Sequence, residues 1–310
     1  MTRPITTLAL ALAAGLAAGA AARAADPESC QTIRLSDPGW TDITSTNSIA
    51  SVILTGLGYE PDVKTLSVPV GYEAMKSGDV DVFLGNWMPG QAAARADLDA
   101  AKAVEVITRN LTGAKFTLAV PSYVGITDFA ELAPNGDKFD QKIYGIESGA
   151  GGNLSIQKMI DADEYGLGDW TLLETGEQAM LAQVERAAPD DWIVFLAWAP
   201  HPMNTAFDIT YLAGGDTYFG PNYGGAEVFT LARTGWPAEC PNAAKFFQNL
   251  VFDLEVENQM MGLILGGEDP VPAAEAWLKE HPDALGPWLE GVTTFDGQPG
   301  LAAVQASLGL

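Results

Sequence analysis

The sequence predicts an α/β protein folded as two lobes with a cleft between them, and three observations predict it. From Thr32 onward, short apolar runs alternate with stretches of helical periodicity, the pattern of mostly parallel strands joined by helices. Some 285 residues remain after an amino-terminal leader is set aside, beyond the size at which a single core normally keeps growing. No Pro-rich or Gly/Ser-rich linker, tandem repeat or low-complexity segment divides the chain, so two lobes would have to be joined by crossing strands.

The leader comes first, and residues 1–25 read as a signal peptide. Arg3 and the amino terminus supply the positive region, Ile5 to Ala20 form an apolar run, and Ala22-Arg23-Ala24 offers small residues where a signal peptidase cleaves. A membrane anchor is the alternative, but Gly15 and Gly19 interrupt the run and no second long apolar stretch follows. No Cys stands at the cleavage site, so a lipid anchor is not expected and the mature protein should be periplasmic. Without Arg3 and Arg23 it carries 14 basic against 40 acidic residues, a formal charge of −26. That balance argues against a nucleic-acid partner. It favours the approach of cations only weakly, because salt screens the field over about 8–10 Å, and a solvated surface suited to a saline habitat explains it equally well.

Candidate strands are Thr32–Leu35, Glu60–Leu66, Val80–Leu84, Lys115–Val120, Lys142–Ile146, Thr171–Glu174, Ile193–Leu196 and Glu227–Ala232. Candidate helices begin with Thr46–Leu57, where Ile49, Val52, Ile53 and Leu57 share one face and Gly58 ends the run. They continue with Asn153–Asp161, Glu177–Ala187, Pro241–Leu265, Pro272–Glu280 and Pro282–Glu290. Thr112–Lys115 and Phe207–Leu212 are the candidate crossings. They divide the mature chain into a discontinuous first lobe, 26–113 with 212–310, and a second lobe, 114–211. Two cysteines remain, Cys30 and Cys240, and an exported context permits a bridge between them, with free thiols as the alternative.

A partial echo marks where a ligand would bind. Val82 to Pro89 and Val194 to Pro200 each read as a buried strand ending at Trp and then Pro, and the first strand reaches Trp40 after a Pro-Gly turn. In open parallel sheets, ligands bind beyond the carboxyl ends of strands. Trp40, Trp87 and Trp198 share that context; Trp277 and Trp288 have the spacing of helix core, and Trp170, Trp192 and Trp236 have neither signal. Three aromatic faces suit a quaternary ammonium, which has no N–H to donate, is charged at every pH and is wrapped in poorly hydrated methyl groups. Each face attracts it by about 0.5–2 kcal/mol. Asp42 could balance its charge. The competing role for each Trp is ordinary core packing.

On these motifs the chain resembles the choline-binding periplasmic proteins of ABC importers, within the type II periplasmic binding proteins. The resemblance spans essentially the whole mature chain. It is carried by Gly39-Trp40-Thr41-Asp42-Ile43-Thr44, Gly85-Asn86-Trp87-Met88-Pro89, Asn110 to Lys115, Pro200-His201-Pro202-Met203-Asn204 and Phe219 to Gly225. It implies two lobes that close on choline, an aromatic box of Trp40, Trp87, Phe116 and Trp198, an acidic contact at Asp42 and a contact from Asn153 to the choline hydroxyl. It also implies a Cys30–Cys240 disulfide and a permease of the inner membrane as partner. Phe116 departs from the Tyr of the family, which leaves the ranking of choline, acetylcholine and betaine-like compounds open. A monomer without cofactor is expected.

The segment Gly149-Ala150-Gly151-Gly152-Asn153 precedes a helix whose amino terminus could hold an anion, which would suit a betaine or carnitine; a tight turn capped by Asn153 is the plainer reading. Catalysis is not expected. The mature chain has two histidines, His201 and His281, no His-Glu-x-x-His or Gly-x-Ser-x-Gly pattern and no convincing metal cluster. A hydrolase of choline esters is the enzyme alternative, and a receptor module docking on a membrane sensor would use the same fold.

Overall fold

The computed structural model describes residues 26–187 and 191–310, and the expected signal peptide lies outside them. Its strands are β1 (Thr32–Asp37), β2 (Glu60–Thr65), β3 (Val82–Met88), β4 (Val104–Pro121), β5 (Lys142–Tyr144), β6 (Thr171–Leu173), β7 (Phe195–Ala199), β8 (Ile209–Tyr211) and β9 (Gly225–Arg233). They lie in the order β2-β1-β3-β9-β4-β7-β5-β6, with β8 on β4. β1 is parallel to β2 and β3, and β5 is parallel to β6 and β7. The middle is antiparallel, contrary to the expectation of a mostly parallel sheet. β4 carries the chain from one half to the other and β9 brings it back alongside, so β9 runs against both β3 and β4 and β4 runs against β7 and β8.

β4 explains how two lobes can share one sheet. Its 18 residues pair with β9 from Val104 to Lys115 and with β7 from Lys115 to Ala119, so the crossing expected at Thr112–Lys115 falls inside it. The return comes later than expected. β8, at the Phe207–Leu212 position, still pairs with Ala119–Pro121 at the far end of β4, and the Ala213 carbonyl still accepts the Phe129 N–H. The chain rejoins the first half only at Gly225, opposite Lys115.

Five helices frame the cleft: α1 (Thr41–Gly56), α2 (Val68–Ser77), α3 (Ala92–Ala100), α4 (Gly151–Asp161) and α5 (Glu177–Arg186). α1 starts five residues before the apolar periodicity does, because its first turn is polar yet buried: Thr41, Asp42 and Ser45 face the cleft region while Ile49, Ile53 and Leu54 fill the core. The expected Pro241–Leu265 helix is two helices, Pro241–Asn249 and Leu254–Leu265. The break is tertiary. The Phe252 N–H donates to the Asn110 carbonyl at 2.7 Å, and Asp253 caps the second helix by accepting from the Glu255 and Val256 N–H groups, both at 2.9 Å.

Two fastenings close the first half. Cys30 and Cys240 form a disulfide with Cα atoms 5.7 Å apart, tying the start of the chain to the segment after β9. Asp81, at the entrance to β3, is buried between Arg34 of β1 and Arg233 of β9; their hydrogen bonds hold its carboxyl below the usual range against the opposing cost of burial.

Candidate ligand-binding site

The first half contributes two indoles and a carboxylate. Trp40 is the N-cap residue of α1 and Trp87 is the last but one residue of β3, so both stand at strand ends of neighbouring parallel strands. Asp42 lies two residues beyond Trp40 and accepts the Trp87 indole N–H on Oδ2 at 3.0 Å. Among the described residues its Oδ1 has no hydrogen-bond partner, although Asp42 is only 2 % exposed.

The second half contributes Phe116 and Trp198, which are directly paired across β4 and β7. Phe116 meets Trp87 edge to face, with ring centroids 6.4 Å apart at 89°. All four aromatic residues are 5–7 % exposed and line one cavity with Asp42. Gly151 and Gly152, the first two residues of α4, form part of its wall. Gly151 is required by closeness: a Cβ there would fall 2.5 Å from the Gly90 carbonyl oxygen across the cleft.

The structure thus brings Trp40, Asp42, Trp87, Phe116 and Trp198 together, while Asn153 stands behind the wall. Its Oδ1 accepts the Ile146 N–H at 3.0 Å, and its Nδ2 lies within 3.1 Å of the Ile146 and Glu147 carbonyls and Glu174 Oε1. The amide braces the loop before α4, and its hydrogen-bonding capacity is taken up there. Trp277 and Trp288 stack on one another at 6.3 Å, away from the cavity.

Electrostatically the site is acidic and buried. Burial pushes the Asp42 carboxyl up to about 8, with Glu177 adding to the rise, while the Trp87 N–H and the backbone oppose it. Burial also carries Glu147 up to about 7, against the pull of the nearby Trp40 indole N–H, and drives Glu257 well above its ordinary value, with Asp42 contributing. Glu147 and Glu257, together with Glu177, Gly90 and Gln91, were not anticipated from sequence, where nothing distinguishes them among 40 carboxylates and 33 glycines. Of the remaining wall, only the Gly-Gly pair that opens α4 was a visible signal. Among the described residues, no group of three or more His, Cys, Asp or Glu side chains is placed to hold a metal ion.

Such a chamber can desolvate a methylated cation, surround it with ring faces and offer it one free carboxylate oxygen. Residues 31–280 match the family described as OpuAC, the substrate-binding domain of the ABC-type glycine betaine transport system. The chain belongs to the OpuAC family. Among solved structures, this OpuAC chain is similar to an ABC-transporter choline-binding protein in complex with choline, with 54% identity, a TM-score of 0.90, and coverage of 92% of this chain and all of that one. It is also similar to an unliganded, semi-closed form of such a protein, with 55% identity, a TM-score of 0.84, and coverage of 91% of this chain and all of that one. A glycine betaine/carnitine transport binding protein of Listeria monocytogenes is 33% identical over 166 residues, 52% of this chain and 53% of that protein. The fold is the two-lobed type II periplasmic binding protein, a class of substrate-binding transport proteins.

Proposed function

We propose that this OpuAC protein captures choline in the periplasm and delivers it to an ABC importer in the inner membrane. The observation that carries the reading is the convergence of four aromatic side chains, two from each half, on a buried Asp42 whose Oδ1 is unpartnered. Trp40, Trp87, Phe116 and Trp198 supply the cation–π faces and Asp42 supplies the charge. The 54% identity to a choline-binding protein over the aligned residues supports it. Because the box is assembled from both halves, ligand favours the state in which the halves meet.

The protein acts as a binder and not as an enzyme. The side chains lining the cavity hold no Ser, Cys, Lys or His nucleophile beside a base. A betaine is the second reading, favoured by the exposure of the α4 amino terminus to the cavity through Gly151 and Gly152. Asp42 and Glu147 oppose a ligand carboxylate there. Calorimetric titration with choline, acetylcholine, glycine betaine, carnitine, trimethylamine N-oxide and dimethylsulfoniopropionate tests the assignment. Choline should bind tightest, and acetylcholine should not be turned over. Binding of none of the six would sink the proposal, and tight betaine binding without choline would move the assignment to the α4 terminus.

A further inference from the structure

A buried carboxylate outside the box joins its two halves. Glu177 is the first residue of α5, in the half that carries Trp198, and its side chain is 1 % exposed. Its Oε2 accepts the Thr41 N–H at 2.9 Å, and its Oε1 accepts the Thr41 hydroxyl, 136 residues away in sequence. Thr41 follows Trp40 and precedes Asp42. On the other side, His201 Nδ1 accepts the Met203 N–H at 2.8 Å, which leaves Nε2 to donate to Glu177 Oε1 at 3.2 Å. The His201 ring also packs edge-on against the Trp198 indole, with centroids 4.8 Å apart.

The contact completes a helix end. The amino-terminal N–H groups of a helix need acceptors, and α1 has Trp40 at its N-cap position, which provides no side-chain cap. Glu177 provides one from across the cleft, where the partial positive charge of the helix end favours an anion. The same approach brings a second buried carboxylate toward Asp42, and its charge disfavours the ionised form of Asp42. A cation enclosed by the box removes that penalty.

We propose that Glu177 is a positioning residue, a latch that closes the cleft by capping α1 from the opposite half and that favours closure around a positively charged ligand over closure without one. This rests on the proposed choline-type function and deepens it: through the latch the charge of the ligand, and not just its shape, stabilises the closed state. A neutral molecule of the same shape would fill the box without offsetting the paired carboxylates.

The test combines stopped-flow tryptophan fluorescence with small-angle scattering on wild type, Glu177→Ala and Glu177→Gln, after circular dichroism and thermal melts show that all three fold. For Glu177→Ala, choline dissociation should accelerate at least tenfold while association stays within threefold. Glu177→Gln keeps an acceptor for Thr41 without the charge, so its ligand-free form should be more compact than wild type. Its preference for choline over the neutral isostere 3,3-dimethyl-1-butanol should fall at least fivefold. Unchanged dissociation in Glu177→Ala, or unchanged preference in Glu177→Gln, overturns the latch. If wild type ignores choline, the ligand assignment fails separately, and the scattering comparison of ligand-free wild type with Glu177→Gln alone decides the latch.

Discussion

Asp42 shows how one side chain couples charge recognition to pH. Its carboxyl is carried up to about 8 in the ligand-free protein, so near neutrality it is mostly protonated, and a bound cation favours the ionised form. Choline should therefore expel close to one proton at pH 7, measurable by calorimetry in buffers of different ionisation enthalpy. Affinity should fall by up to about tenfold per pH unit below about 8 and level off above it. A flat profile without proton release would contradict this. The sign for stability is the reverse: an acid raised in the folded state costs stability as pH climbs from its unfolded value toward 8. Trp87 does two jobs, presenting a face and donating to Asp42. Trp87→Ala should thus weaken choline at least about tenfold, or 1.4 kcal/mol, by titration. The strand-end tryptophans and Asp42 were legible because local sequence places them at or just beyond the ends of strands. Phe116 entered only through resemblance, since a Phe inside a strand reads as core. Glu177 was illegible because its role exists only where α5 meets α1.

At the scale of elements, the strands were legible wherever burial made them apolar, and the misses have specific causes. β8 reads as a connection because its three residues are only half-buried. The first turn of α1 is polar in sequence yet buried, so hydrophobic periodicity began too late. The run Pro241–Leu265 reads as one helix because its break comes from the Phe252 N–H meeting Asn110, a residue of β4 more than a hundred positions earlier. Asp253 starts the second helix by local chemistry, and Asp253→Ala should cost about 1 kcal/mol in denaturant unfolding. That helix carries Glu257 toward Asp42, so a small loss of choline affinity should accompany it. A change below about 0.3 kcal/mol would mean that the Phe252 contact alone sets the break.

For the molecule as a whole, size and alternation were enough to indicate two lobes, but not where the chain returns. The return is set by pairing of β8 with the far end of β4, a long-range choice without a local signal. The disulfide spans 210 positions and restricts the unfolded chain accordingly. Its removal in Cys30→Ala/Cys240→Ala should lower stability by up to about 5 kcal/mol, read by chemical denaturation. Choline affinity should stay within about threefold, because the bridge lies behind the first half, away from the cavity lining. A large loss of affinity would instead tie the bridge to the geometry of the box.

The pairing of β4 with β9 has a further consequence for chain topology. Ala114 faces Ala226 and Lys115 faces Gly225 across adjacent antiparallel strands, so the points where the polypeptide enters and leaves the second half are next-door neighbours, about 5 Å apart. That half is an insertion in the topological sense. Excising it and joining the cut ends with a tight turn would leave β1, β2, β3 and β9 with every one of their mutual partners.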